Sequence, residues 1–239
     1  TKYFDDVGGF SFVLGVGAGD DPLYSQMLIG MRTSDAAEFV AKYRRYYEEL
    51  DDVVGDVSTG LFSDIQVEQH DINGVEGLKI RMPISGQQFG FAPNPAELDV
   101  MMEKMYGPDP VTLYVAAASD NLVLMAYTDD KLLADAIRNE ANFAEQLAGN
   151  QQIDRTSASL PKDAYAIGYW DVGGTMQFVK RVVRVMTDRD SGNRLPDFPD
   201  APPVGWAMTV QPGAMSFDTV VPAATLQAGG RFARAAMER

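Results

Sequence analysis

One histidine, no cysteine and 34 acidic residues among 239 define the chemistry open to this chain. Without cysteine there is no disulfide, no thiolate nucleophile and no thiolate metal site. His70 has no second histidine to join, so an H-E-x-x-H zinc site is excluded, and no G-x-S-x-G sequence supplies a serine for it to activate. It falls on the polar face of a hairpin. That position predicts a solvated imidazole, whose removal should change stability by no more than about 0.5 kcal/mol.

Carboxylate chemistry remains. Asp188-Arg189-Asp190-Ser191-Gly192-Asn193 opens like a calcium loop, with acids at positions 1 and 3. Position 6 is Asn193, however, and position 12 is Pro199, where such a loop needs Gly and Glu. Asp188 and Asp190, with Asp197 and Asp200 nearby, are candidate ligands for a hard cation; the alternative is a plain solvated loop. Asp20-Asp21, Glu48-Glu49 and Asp51-Asp52 are carboxylate pairs, but a hydrolase needs its carboxyls facing each other about 5–10 Å apart. Adjacent acids on loops usually mean hydrated surface. Gly15-Val16-Gly17-Ala18-Gly19 follows a strand, as a dinucleotide loop would. Its spacing is G-x-G-x-G and a second strand comes next, so no helix N-terminus is on offer for a pyrophosphate. Phe89 and Phe91, in a Gly/Pro loop, are candidates to line a ligand or partner pocket or to cover the end of the core. No catalytic residue and no cofactor site follows from these motifs.

The charge balance, 34 acidic against 20 basic residues, leaves a formal charge of −14. Such a field repels phosphate backbones and anionic lipid. Nucleic acid is therefore not an expected partner, whereas an unknown protein or small ligand, a cation or a basic partner fits. The longest apolar runs are strand-sized, short of the roughly 20 residues of a membrane helix, so no membrane insertion is expected within this chain.

The elements follow from periodicity. Phe10, Phe12, Leu14 and Val16 alternate with Ser11, Val13 and two glycines, a strand that returns over Gln26 to Arg32. Thr33-Ser34-Asp35 then caps a helix reaching about Leu50, with Ala36, Val40, Tyr43, Tyr47 and Leu50 as its buried stripe. Asn73-Gly74 favours a type I′ turn. Counting outward pairs Val67 with Ile80 on a core face, and Glu68 with Lys79 and Gln66 with Arg81 on a wet one. Asn94-Pro95-Ala96-Glu97 caps the next helix, which Gly107-Pro108 ends. Val111 to Tyr127 forms a third hairpin around Ser119-Asp120-Asn121, and Thr128-Asp129 opens a helix that Gly149 closes. Asn150 to Ser159 reads as a polar link. Ala164 to Asp171 is apolar at both parities, as in a strand covered on both faces. A helix from Thr175 to Met186, a Pro-rich loop, a hairpin around Gln211-Pro212-Gly213 and a helix after Pro222 complete the chain.

Together these elements predict an α+β fold: a largely antiparallel sheet of repeated hairpin-helix units, with helices packed on one side. One domain over 1–239 is expected, with a subdomain boundary near 150–160.

Leu160-Pro161-Lys162-Asp163-Ala164, followed by Tyr165, Tyr169 and Asp171, has an L-P-x-D-A…Y…D pattern, with Gly173-Gly174 leading into a helix. It resembles the repeat openings of a family of uncharacterised exported bacterial proteins. That resemblance implies an extracytoplasmic setting behind a removed signal or anchor, in keeping with a first residue, Thr1, that is not Met. It transfers no catalytic residue. The functional expectation is a non-catalytic extracytoplasmic binding or scaffolding protein. The alternatives are a carboxylate- and metal-dependent hydrolase and a structural piece of a larger surface protein.

Overall fold

A computed structural model of the chain describes residues 6–17, 19, 21–54, 64–86, 94–108, 111–139, 150–187 and 195–238. The fold divides into two compact units, Thr1–Glu140 and Ala141–Arg239.

The first unit is three hairpins, each followed by a helix: β1 (Gly9–Leu14), β2 (Met27–Arg32) and α1 (Ala36–Val54); β3 (Gln66–Ile72), β4 (Val75–Met82) and α2 (Pro95–Tyr106); β5 (Val111–Ser119), β6 (Leu122–Tyr127) and α3 (Asp130–Arg138). All six strands join one antiparallel sheet in the order β1-β2-β6-β5-β4-β3, which puts the third hairpin at its centre. Asn73 and Gly74 both adopt positive φ, 56° and 82°, as a type I′ turn requires. The turn sets the expected register, Val67 opposite Ile80 and Gln66 opposite Arg81.

Each helix begins on an Asx side chain that meets an otherwise orphaned N–H. Asp35 accepts from the Glu38 N–H, Asn94 from Glu97 and Asp129 from Lys131. Helix ends also dock onto loops. The Leu23 and Tyr24 N–H groups donate to the Lys104 and Met105 carbonyls at the end of α2, which fixes the loop before β2 against that helix.

The central strands are covered on both faces. On one, Leu78, Ile80, Met82, Val111, Leu113 and Val115 pack beneath Ala36 and Phe39 of α1. On the other, Leu28, Ile72, Tyr114, Ala116, Leu124 and Ala126 pack beneath Leu133 and Ala136 of α3. The α+β class and the antiparallel sheet stand as expected, but the helices occupy both faces rather than one. The cause is β5, whose residues 111–116 are buried at both parities.

The second unit contains α4 (Gln151–Ser157), β7 (Ala166–Trp170), α5 (Val172–Thr187), β8 (Val204–Gln211), β9 (Ala214–Val220) and α6 (Ala223–Met237). Its three strands form an antiparallel sheet with β8 in the middle. The expected polar link at 150–159 is largely helix, capped by Asn150, which accepts from the Gln152 and Ile153 N–H groups. The strand expected to be covered on both faces, β7, is instead an edge with Ile167 and Trp170 about half exposed. Gly168 is required there because a Cβ would overlap the Trp206 ring.

Candidate functional site

A cleft of about 760 Å³ opens on the first unit's sheet, within the usual range for small-ligand sites. Its floor comes from alternate residues of neighbouring strands, because side chains two apart share a face. Gln66 of β3, Lys79 and Arg81 of β4, and Thr112 and Tyr114 of β5 supply it, with Arg81 beside Thr112 and Lys79 beside Tyr114. The walls arrive from distant parts of the chain. Asp21, Pro22, Ser25 and Gln26 belong to the loop before β2, Tyr106-Gly107-Pro108 to the end of α2, and Thr128 to Asp135 to the start of α3.

The charges of the cleft floor are cationic, whereas the α3 side carries Lys131 together with Asp129 and Asp135. Lys79 extends over the Tyr114 ring, 5.7 Å from its centroid, and among the described residues no carboxylate pairs with it. Arg81 reaches Glu68 only at 3.4 Å, in a half-exposed pair. The expected cross-strand partner of Glu68 was Lys79. Register places them opposite, yet the ion pair forms on the diagonal and leaves Lys79 to the aromatic face. The acids on the α3 side are engaged: Asp129 caps the helix and lies 3.4 Å from Lys131 Nζ, and Asp135 meets Arg138 at 2.9 Å. Ser25 is buried in the wall, and among the described residues its Oγ has no hydrogen-bond partner. Burial, and next the neighbouring Tyr24, raises the Tyr106 hydroxyl above its ordinary pKa, so this tyrosine presents a neutral hydroxyl.

His70 lies on the same face of the sheet, opposite Gly77 as the register predicts. The solvated imidazole expected from the sequence is not what the fold produces. Its Nε2 is 2.7 Å from Asp130 Oδ2, and the ring tilts against Tyr114 at 5.3 Å. With Asp130 ionised, Nε2 carries the proton and donates. The sequence expectation failed because α3, sixty residues away, covers part of a face that the hairpin alone leaves wet.

The second unit has an apolar groove of about 510 Å³, lined by Trp170, Phe198, Val204, Trp206, Phe217 and Leu226 among others. Trp206 and Phe217 stack at 5.6 Å across β8 and β9.

The sequence candidates Asp188, Asp190, Phe89 and Phe91 lie outside the described residues, as does Gly149, the expected end of the helix that Thr128-Asp129 opens. Among the described residues no three His, Asp or Glu side chains are grouped to hold a metal ion, and no helix is long and apolar enough to cross a membrane. The glycine run after β1 leads into β2, as expected; the Gly15 N–H continues the ladder to the Gln26 carbonyl. Lys79, Arg81 and Thr112 were missed as site residues. Their only sequence signal is that of a polar strand face, and nothing local marks it as the floor of a cleft. No protein-family model matches the chain, and neither a curated protein nor a solved structure matches it.

Proposed function

We propose that the chain is a non-catalytic binding protein acting outside the cytoplasm, and that the cleft of the first unit takes a small ligand. One observation carries the reading: a concave site of ligand size in which Lys79 has an aromatic neighbour and, among the described residues, no carboxylate ion-paired to it. A buried or half-buried cation without a counter-charge is costly, and a ligand that supplies one relieves that cost. The extracytoplasmic setting rests on the Leu160 to Asp171 resemblance alone. The hydrolase alternative requires acids converging on a reacting centre; in this cleft Asp129 and Asp135 are engaged with the cap of α3 and with Lys131 and Arg138, while its own candidates Asp188 and Asp190 lie outside the described residues.

The test is a thermal-unfolding screen of the full chain against small metabolites and divalent cations, run beside chromogenic ester, phosphate and glycoside substrates. A ligand at a hundredfold excess over its dissociation constant stabilises the folded state by about 2.7 kcal/mol, well within reach of such a screen. Stabilisation by a small molecule without turnover is the expected result. Turnover that depends on one divalent ion, and is lost in Asp188→Asn with Asp190→Asn, would replace this reading with the hydrolase.

A further inference from the structure

Resting on that reading, we infer that the ligand is an organic monoanion, a carboxylate whose head is held by Lys79 and Arg81 and whose body lies along Pro22, Tyr106 and Leu132. The two cations occupy positions i and i+2 of β4, so they project from one face of the sheet about 7 Å apart at the backbone. Side chains of that length converge on a single anionic group between them. Arg81 presents a planar fork that matches a carboxylate bidentately, and Lys79 adds a point charge. Thr112 stands beside Arg81 in the neighbouring strand and contributes a hydroxyl to the same floor. The apolar part of the lining, Pro22, Tyr106, Pro108 and Leu132, comes from the loop before β2, the end of α2 and the start of α3. The cleft therefore has a cationic floor and apolar elements in its walls, a division that suits an anion with a hydrocarbon or ring body.

The charge count sets the valence. Lys79, Arg81 and Lys131 are matched in the lining by Asp21, Asp129 and Asp135, three against three. A dianionic phosphate would meet all three carboxylates with twice the charge of a carboxylate, inside a chain of −14. A zwitterion would need a carboxylate to spare for its ammonium, but Asp129 is held as the cap of α3, Asp135 pairs with Arg138 at 2.9 Å, and Asp21 is engaged within the fold as well. A monoanion uses the less committed cations and asks nothing of the acids.

The experiment is calorimetric titration of the full chain with benzoate and hexanoate, with their neutral amides benzamide and hexanamide, and with phenyl phosphate and phenylalanine. The expected result is binding of at least one carboxylate, at least tenfold tighter than its amide and tighter than phenyl phosphate or phenylalanine. Lys79→Gln and Arg81→Gln should each weaken it by about tenfold, which is ~1.4 kcal/mol. Lys79→Arg should keep most of the affinity, and Lys42→Gln, on α1, should change nothing. Circular dichroism and unfolding midpoints confirm that each variant is folded. An amide that binds as tightly as its acid, or an affinity indifferent to both glutamine variants, leaves a binding protein but overturns the monoanion. Preference for phenyl phosphate or phenylalanine overturns it in favour of a dianion or a zwitterion. If none of the six compounds binds and the wider screen also yields no ligand, the binding reading falls with it.

Discussion

Replacing His70 with alanine removes one short bond and one ring contact, and the structure bounds what each contributes. Hydrogen bonds to a charged group contribute about 1.5–3 kcal/mol, and exposed ion pairs about 0–1 kcal/mol. The His70 and Asp130 side chains are 31% and 36% exposed, which places their 2.7 Å contact between those cases, at about 1 kcal/mol. Loss of the half-buried ring from Tyr114 adds about 0.5 kcal/mol, the low end for aromatic pairs. His70→Ala should therefore cost about 1–2 kcal/mol, beyond the range of ordinary surface substitutions. Asp130→Ala loses the same bond and also an acid in the first turn of α3, an interaction of about 0.3–1 kcal/mol. A double-mutant cycle cancels that second contribution and isolates the pair.

Equilibrium urea denaturation of the four proteins at neutral pH measures the coupling, provided the denaturant slope is unchanged. Both tryptophans, Trp170 and Trp206, belong to the second unit, so far-ultraviolet circular dichroism is the appropriate signal. The expected coupling is about 1 kcal/mol. A coupling within about 0.3 kcal/mol of zero, the usual error of additivity, would show that the contact does not stabilise the fold and would restore the solvated imidazole.

Phe39→Ala should be far more damaging, about 3–5 kcal/mol in the same denaturation assay, because a ring only 2% exposed leaves a cavity between α1 and the sheet. Gly168→Ala places a methyl inside the Trp206 ring and should cost about 1–3 kcal/mol by overpacking, with a displaced tryptophan emission maximum as its signature. Burial, and then Tyr47 and Tyr106, pushes the Tyr127 hydroxyl up to about 12; Tyr43 is likewise raised, first by burial. A raised folded-state value means stability is intact below about pH 10, where the unfolded chain begins to ionise, and falls as pH rises through the folded value. For Tyr127 the loss is of order 2 kcal/mol between about pH 10 and 12, and Tyr127→Phe should flatten that part of the alkaline unfolding curve followed by tyrosinate absorbance.

What was legible in the sequence was whatever neighbouring residues decide. Asn73-Gly74 set its hairpin's register because two adjacent residues must both take positive φ, and the Asx caps at Asp35, Asn94 and Asp129 marked three helix starts. Errors came where tertiary partners decide. Val111 to Ala116 and Ala164 to Asp171 are both apolar at both parities, yet the first is a central strand under two helices and the second is largely an edge. Composition does not separate them. What separates them is which neighbours a strand acquires, and those come from other parts of the chain. Asn150 was a readable cap whose helix was overlooked because its seven residues carry almost no apolar stripe. The cleft was illegible for the same reason as the edge strand: its floor and its walls are brought together only by folding.

The acidity of the chain and an anion site in its first unit are compatible once distances are considered. At physiological ionic strength the Debye length is about 8 Å, so only acids near a bound carboxylate act on it. The near acids Asp129 and Asp135 line the same cleft, but they face Lys131 and Arg138, which offset part of their charge on a bound carboxylate. Lys79 and Arg81 would instead touch the ligand. Raising salt therefore screens the repulsion from the remaining acids more completely than it weakens a half-buried contact pair. Carboxylate affinity should fall by less than about threefold between 50 and 200 mM salt, against losses of about 10³ or more for proteins that release many counterions from DNA. A steep loss would mean that the ligand is drawn by diffuse charge at the rim, and that Lys79 and Arg81 do not enclose it.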